Sequence, residues 1–153
     1  MRTTLTILLA LTALSTLPLR AHSHEQHAHK SHAAGEPGDP KKPARTIEVG
    51  MTEMAYAPAR IEVKRGEQIR FVIRNIGAAD HEFLLATTEE NLKHGEAMQK
   101  NPDMEHAEPN GVRLAPEKSA EIVWKFTKAG TFEYSCLIPG HREAGMIGQV
   151  LVK

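Results

Sequence analysis

Cysteine and aromatic residues are scarce in this sequence, and each shortage narrows what the chain can be. Its 153 residues include one cysteine, Cys136, one tryptophan and only 5% aromatic residues. A single thiol excludes an intramolecular disulfide framework, on which small exported domains commonly rely. Charge of either sign is not in excess, with 19 basic and 19 acidic residues. We therefore expect neither nucleic acid nor an anionic membrane as partner.

Long hydrophobic runs are also missing, and the most apolar segment lies at the N-terminus. After Met1-Arg2, the segment Thr3 to Leu19 has no acidic residue, and Arg20-Ala21 follows. A charged start, an apolar middle and a small final residue are typical of a secretory signal, and the run is short for a membrane-spanning helix. We predict a signal peptide over residues 1–21, a periplasmic location and no stable membrane insertion after cleavage. The alternative is an uncleaved N-terminal anchor.

A histidine-rich segment follows the predicted signal peptide. Residues 22–45 contain no apolar residue larger than alanine, so we predict a disordered tail and linker that adds nothing to a core. Imidazole binds copper, zinc and nickel, which makes this tail a candidate accessory copper site; the alternative is a solvated linker. Its five histidines are His22, His24, His27, His29 and His32. Cleavage after Ala21 would also expose an N-terminal amine near His24, a set that suits Cu(II).

The remaining residues, 46–153, predict a single all-β domain. Short segments rich in Val, Ile, Phe and Thr are separated by Gly, Pro and Asn, as in an antiparallel Greek-key β-sandwich. A short surface helix is expected over Glu89 to Lys100, because Thr87 and Glu90 resemble a capping box. The predicted strands are Thr46 to Gly50, Arg60 to Lys64, Glu67 to Asn75, His81 to Ala86, Ser119 to Phe126, Thr131 to Leu137 and Ile147 to Lys153.

Two potential metal ligands occupy inward-facing positions of the predicted strands, among apolar residues. His81 has the parity of Phe83 and Leu85, and Cys136 has the parity of Tyr134, so both should point into the sandwich. An inward histidine is ordinarily a hydrogen-bonded core residue, and a lone buried cysteine is ordinarily inert. If the two strands are close, however, the imidazole and the thiol meet at one pole of the sandwich.

A loop after the cysteine strand carries two more ligands. His141 follows Cys136 by five residues, and Met146 follows His141 by five. A thiolate, a thioether and two imidazoles, the second from His81, suit copper better than other common metals and suit zinc poorly. Six further residues could either contact additional Cu(I) ions or simply fill gaps in the packing. They are Met51, Met54, His94, Met98, Met104 and His106.

At this point the chain resembles the cupredoxins, or type 1 copper proteins, which include plastocyanins, azurins and rusticyanins. Their pattern is an isolated histidine followed, near the C-terminus, by a cysteine, a histidine and a methionine on one loop. His81, Cys136, His141 and Met146 match it, within a resemblance that covers residues 46–153. The resemblance implies one type 1 copper held by these four side chains. Glu82 stands where many relatives have a neutral residue, so the sequence is consistent with either a blue or a green copper centre.

The loop spacing is similar to that of rusticyanin and azurin, whereas the tail resembles exported cupredoxins of bacterial copper tolerance. We therefore predict a monomeric periplasmic protein that cycles Cu(II) and Cu(I), with one-electron transfer linked to copper handling and tolerance. The alternative is a dedicated respiratory electron carrier that uses a cytochrome as transient partner, with His141 as the electron exit. An enzyme is disfavoured, because catalytic copper sites usually keep an open position or use further copper centres.

Overall fold

Ten strands and one helix make up the regular structure within residues 32–42, 44–101 and 108–153, the part of the chain that this computed structural model describes. They form two five-stranded sheets, ordered β1-β8-β5-β2-β3 and β4-β10-β9-β6-β7. The elements are β1 (Glu36–Pro37), β2 (Arg45–Thr52), β3 (Ala55–Ala57), β4 (Arg60–Val63), β5 (Gln68–Asn75), β6 (His81–Ala86), α1 (Thr88–Lys100), β7 (Gly111–Leu114), β8 (Ser119–Lys125), β9 (Gly130–Ser135) and β10 (Ile147–Val152). The predicted all-β sandwich with one helix is confirmed.

The core lies between the inner faces of the two sheets, as strand alternation predicted. Ile69, Phe71 and Ile73 of β5 are fully buried, while the residues between them are only partly buried. Trp124 of β8 and Phe83 of β6 are also fully buried. Burying one side chain of this size contributes about 1.5–3 kcal/mol, so these alternating positions carry much of the fold's stability.

Two strand pairs run parallel, so the expectation of a wholly antiparallel sandwich was wrong at these pairs. β2 pairs in parallel with β5, from Arg45 opposite Ile69 to Met51 opposite Asn75, and β4 pairs in parallel with β10. After β2 and β3, the chain crosses to the other sheet to form β4 and returns as β5. The alternation of side chains does not record such a crossover, because it reports only which residues face inward.

Helix α1 begins with the predicted capping box. The N–H of Glu90 donates to the Thr87 hydroxyl at 3.1 Å, and the N–H of Thr87 donates to the Glu90 carboxylate at 2.9 Å. These bonds satisfy backbone donors that have no partner inside the helix. The helix buries Asn91 and Met98 and lies against β6 and β9, so it covers the outer face of the sheet that contains these two strands.

Residues 32–42 belong to the fold, so the prediction of a disordered tail over residues 22–45 was wrong for this stretch. Strand β1 pairs with β8, with Glu36 opposite Lys125. Ala34 is fully buried, and its carbonyl accepts a hydrogen bond from Trp124 Nε1 at 3.3 Å. The composition was misleading because a side chain as small as alanine can still fill a gap in a core.

Several predicted features lie outside the described residues. They are the signal peptide over residues 1–21, the tail histidines His22, His24, His27 and His29, and the loop residues Met104 and His106. Within the described part of the chain, no helix is both long enough and apolar enough to cross a membrane.

Candidate metal centre

Pairing between β6 and β9 brings His81 and Cys136 to the same pole of the sandwich. The two strands are antiparallel neighbours, with Leu84 opposite Ser135, so the start of β6 lies beside the end of β9. His81 and Cys136 are both fully buried, which confirms the predicted inward orientation. One ligand atom from each of His81, Cys136 and His141 lies within 4.8 Å of the others. We call the end of the sandwich that holds this cluster the site pole.

Backbone hydrogen bonds close the loop over residues 137–145, called here the Cys–Met loop. The N–H of Cys136 donates to the Met146 carbonyl at 3.2 Å, and the N–H of Met146 donates to the His141 carbonyl at 3.1 Å. Gly140 and Gly145 have φ values of 89° and 101°, in the left-handed region that glycine tolerates without strain. The loop therefore returns Met146, whose side chain is fully buried, to a position beside Cys136.

The imidazole of His81 has the properties expected of a metal ligand. Neither of its ring nitrogens has a hydrogen-bond partner in the described structure, although the residue is fully buried. A buried polar atom without a partner is costly, so the interpretation of His81 as a hydrogen-bonded core residue is wrong. The ring of His141 lies 5.3 Å away between centroids. Two imidazoles and a thiol sulfur form a donor set that fits copper.

The Cys136 sulfur accepts a hydrogen bond from the backbone N–H of Glu82 at 3.3 Å and lies 3.2 Å from His141 Nδ1. Burial raises the pKa of the Cys136 thiol to about 11. The metal-free thiol is therefore protonated at neutral pH, whereas a coordinated metal ion deprotonates a thiol outright. Copper uptake at this cluster should release a proton.

The imidazole of His141 is neutral at pH 7. Burial, followed by the nearby ring of His81, lowers the pKa of His141 below its ordinary value. The neutral form is the one that ligates metals. The residue is only half-buried, unlike His81 and Cys136, so it forms the solvent-facing side of the cluster.

Two carboxylates lie next to the cluster; the sequence singled out Glu82 only for the colour of the centre and did not single out Glu53. Glu82 Oε2 accepts the N–H of Leu137 at 3.1 Å, so this side chain joins β6 to the Cys–Met loop, while the Glu82 backbone N–H joins β6 to Cys136. Burial raises the pKa of Glu82. Glu53, on the turn between β2 and β3, lies with Oε1 3.6 Å from His81 Nε2. Backbone N–H groups of Ala78 and Ala79 hold the pKa of Glu53 below its usual range.

A buried polar network also supports the Cys–Met loop, and no sequence motif indicated it. Arg142 donates to both oxygens of the Glu133 carboxylate, at 2.9 and 3.2 Å. Thr88, Asn91 and Ser135 donate to the same carboxylate. Burial alone would raise the pKa of Glu133, but these hydrogen bonds outweigh it and hold that pKa below the ordinary value. The network joins helix α1, strand β9 and the residue after His141.

Of the candidate accessory histidines that the structure describes, neither His32 nor His94 joins the main cluster. Within residues 32–42, 44–101 and 108–153, the three residues His81, Cys136 and His141 are the only such group of histidine, cysteine and acidic ligand atoms. His32 instead lies edge-on against Trp124, with ring centroids 5.6 Å apart. Met51 is fully buried in the hydrophobic core, which supports the gap-filling alternative for that residue.

Comparison with known proteins agrees with this geometry. The profile of the copper binding proteins of the plastocyanin/azurin family matches residues 44–153. The copper-resistant cuproprotein CopI of Rubrivivax gelatinosus is 53% identical over 113 residues, which cover 73% of this chain and 68% of the relative. The CopI protein of Pseudomonas aeruginosa is 36% identical over 139 residues, covering 72% of this chain and 77% of the relative.

Solved structures show the same fold at lower sequence identity. Auracyanin B superimposes with a TM-score of 0.65 at 24% identity, covering 78% of this chain and 96% of its own. The auracyanin of Roseiflexus castenholzii gives a TM-score of 0.62 at 22% identity, covering 73% and 99%. These likenesses show the fold, and the profile match over residues 44–153 shows the family, which confirms the resemblance drawn from the sequence: the chain belongs to the plastocyanin/azurin family of copper-binding proteins.

Proposed function

We propose that this protein is an exported type 1 copper protein that cycles one copper ion between Cu(II) and Cu(I) as part of copper tolerance. The observation that carries the proposal is the buried cluster of His81, Cys136 and His141, whose ligand atoms lie within 4.8 Å of one another. The relatives from R. gelatinosus and P. aeruginosa, both described as copper-resistant cuproproteins, support the link to tolerance.

In this proposal four side chains hold the ion. His81, Cys136 and His141 supply two imidazoles and a thiolate, and Met146 supplies a weak fourth ligand through its thioether. The buried position of Met146, beside Cys136 and bonded through its backbone to the Cys–Met loop, supports its assignment. Bound copper would supply one-electron redox chemistry, since this ligand set is acceptable to both oxidation states.

The protein's own contribution is a rigid arrangement of ligands in a dry environment. Backbone bonds fix the Cys–Met loop, the Glu82 N–H donates to the Cys136 sulfur, and the Arg142–Glu133 network holds the loop against α1. A preorganised site needs little rearrangement when an electron arrives or leaves. With all its ligands drawn from the chain, such a site leaves no open position for substrate, which supports a role other than enzyme.

Export and copper collection complete the proposal. The signal peptide over residues 1–21 would direct the chain to the periplasm, where His22, His24, His27, His29 and His32 would bind further copper ions. Imidazole-rich segments suit this role because each neutral ring is a copper ligand. We propose that the mature protein acts as a monomer.

A second candidate, a soluble electron carrier without a role in tolerance, is favoured by one feature of the site pole. His141 is half-buried, and Ile76, in the loop that leads to His81, is 66% exposed. An exposed apolar residue next to Gly77, which lies against the candidate ligand His81, suits brief encounters with a redox partner such as a cytochrome.

Growth in copper separates the two candidates. A deletion strain should become copper-sensitive, and the wild-type gene should restore tolerance, whereas a Cys136→Ala gene should not. A Glu121→Gln gene, altered at an exposed residue of β8, serves as the matched control and should restore tolerance fully. Unchanged growth of the deletion strain in high copper would reject the tolerance role and leave the electron carrier.

A further inference from the structure

The carboxylate of Glu53 is held beside the buried ring of His81. Its Oε1 atom accepts the backbone N–H groups of Ala78 and Ala79, at 2.5 and 3.0 Å. The same atom lies 3.6 Å from His81 Nε2. The turn between β2 and β3 is thereby joined to the loop that leads into β6, and a negative charge is placed next to a candidate ligand.

Gly77 leaves the space in which the carboxylate and the ring approach each other. A Cβ atom at this position would lie 2.7 Å from Glu53 Oε1 and 2.9 Å from His81 Nε2. Real Cβ atoms essentially never lie under 3.0 Å from another heavy atom. A side chain at position 77 would therefore displace the Glu53 carboxylate or the His81 ring from this arrangement.

This arrangement also distinguishes the two nitrogens of the His81 ring. Nε2 faces Glu53 and Gly77, which leaves Nδ1 as the nitrogen available to the cluster with Cys136 and His141. An imidazole that ligates a metal through Nδ1 carries its proton on Nε2. That N–H would face the Glu53 carboxylate, which lies 3.6 Å away and so just beyond hydrogen-bond distance in this structure, and a carboxylate is the usual kind of partner for a metal-bound histidine.

We propose that Glu53 is a positioning residue that fixes the His81 ring through its Nε2–H and favours Cu(II) over Cu(I) at the proposed site. This inference rests on the proposed copper function and adds a determinant of its redox preference. A carboxylate on the outer nitrogen makes the imidazole a more basic ligand. A nearby negative charge also stabilises the ion of higher charge more strongly.

The test uses the full-length mature protein and three variants. Glu53→Gln keeps an oxygen that can accept the Ala78 and Ala79 N–H groups but removes the charge, whereas Glu53→Ala removes both. Glu48→Gln, at an exposed position of the preceding strand β2, removes an equal charge away from the site. For each protein, Cu(I) and Cu(II) affinities are measured by competition with chelators, and the reduction potential is measured by spectroelectrochemistry.

For Glu53→Gln we expect Cu(II) to bind about tenfold more weakly while the Cu(I) affinity is maintained. A tenfold selective loss raises the one-electron reduction potential by about 59 mV. Glu48→Gln should match the wild type. A potential for Glu53→Gln equal to that of Glu48→Gln would overturn the proposal, and so would an equal weakening of both oxidation states.

A measurement on the metal-free protein tests the role of Glu53 independently of the proposed copper function. The ¹⁵N chemical shifts of the His81 ring should show the Nε2-protonated tautomer in the wild type and a mixture of tautomers in Glu53→Ala. A wild-type ring protonated on Nδ1 would overturn the role of Glu53 whatever the copper titration shows. Failure of the wild type to bind copper would instead reject the proposed function.

Discussion

Arg142 forms an ion pair with Glu133 in which one guanidinium nitrogen, Nη2, lies 2.9 and 3.2 Å from the two carboxylate oxygens, and this pair joins the residue after His141 to the strand that ends before Cys136. Both side chains are largely buried, 19% and 8% exposed. An ion pair removed from water needs further hydrogen bonds to be stable. Here Thr88, Asn91 and Ser135 provide them by donating to Glu133. The Cys–Met loop and helix α1 are therefore both hydrogen-bonded to the same buried carboxylate.

Breaking this ion pair should destabilise the metal-free protein. Glu133→Gln leaves the guanidinium of Arg142 without its counter-charge, and we expect the free energy of unfolding to fall by about 3 kcal/mol. Urea denaturation of the metal-free protein measures the change. Glu121→Gln breaks the exposed pair with Arg70 and should cost less than about 1 kcal/mol. Equal losses for the two variants would contradict a structural role for Glu133.

The same pair should make stability depend on acid pH. Because the pKa of Glu133 in the folded state lies below its ordinary value of 4.5, the unfolded state binds this proton more tightly. Its contribution is therefore complete above that ordinary value and is lost as pH falls through the folded-state pKa. The difference in unfolding free energy between wild type and Glu133→Gln should be constant from neutral pH down to the ordinary pKa of 4.5 and shrink at lower pH. A difference that grows on acidification would contradict this prediction.

Truncation of the histidine tail alone and truncation that also removes the segment after it should have different effects on stability and copper binding. Removing residues 22–31 should leave the unfolding free energy of the domain unchanged and reduce the number of copper ions bound. Removing residues 22–42 also deletes Ala34 and strand β1 and uncovers Trp124, so we expect a loss of about 2 kcal/mol and a red shift of tryptophan fluorescence. Thermal unfolding and emission spectra measure both. Equal stability of the two truncated proteins would show that β1 contributes nothing.

Met146 can be tested as a ligand without disturbing the packing around it. Met146→Leu keeps a similar apolar volume, so its effect on unfolding should stay below about 1.5 kcal/mol, but it removes the thioether. We expect the copper-loaded variant to keep a thiolate–copper absorption band that is shifted in wavelength, together with a changed reduction potential. Met51→Leu makes the same swap at a fully buried methionine of the core and should match the wild type. A spectrum of Met146→Leu identical to that of wild type would remove Met146 from the ligand set.

The sequence predicted those parts of the molecule that local patterns determine. Each of the seven predicted strands is present, with bounds within two residues of those expected, because alternation reports which side chains face inward. The capping box at Thr87 is likewise a local signal. The inward orientation of His81 and Cys136 followed from the same alternation, and the fold then brought them together.

Features that depend on distant contacts could not be predicted in this way. Strand β3 has only three residues, too few to show a period. The four residues of β7 do not alternate between buried and exposed positions, unlike the four residues of β4. The roles of Glu53 and Glu133 arise from the approach of a turn and a helix to strands far away in the chain. An acidic residue on an outer strand position predicts a solvated side chain, and only the packing of α1 over β9 makes Glu133 a buried one.

The central claim is that Cys136 supplies a thiolate to one bound copper ion, and titration of the metal-free protein with Cu(II) tests it most directly. For the wild type without residues 22–31, we predict one tightly bound ion and an intense visible absorption from the thiolate–copper bond. In Cys136→Ala of the same length, the visible band should be absent. A colourless wild type, or a band that persists in Cys136→Ala, would contradict the account.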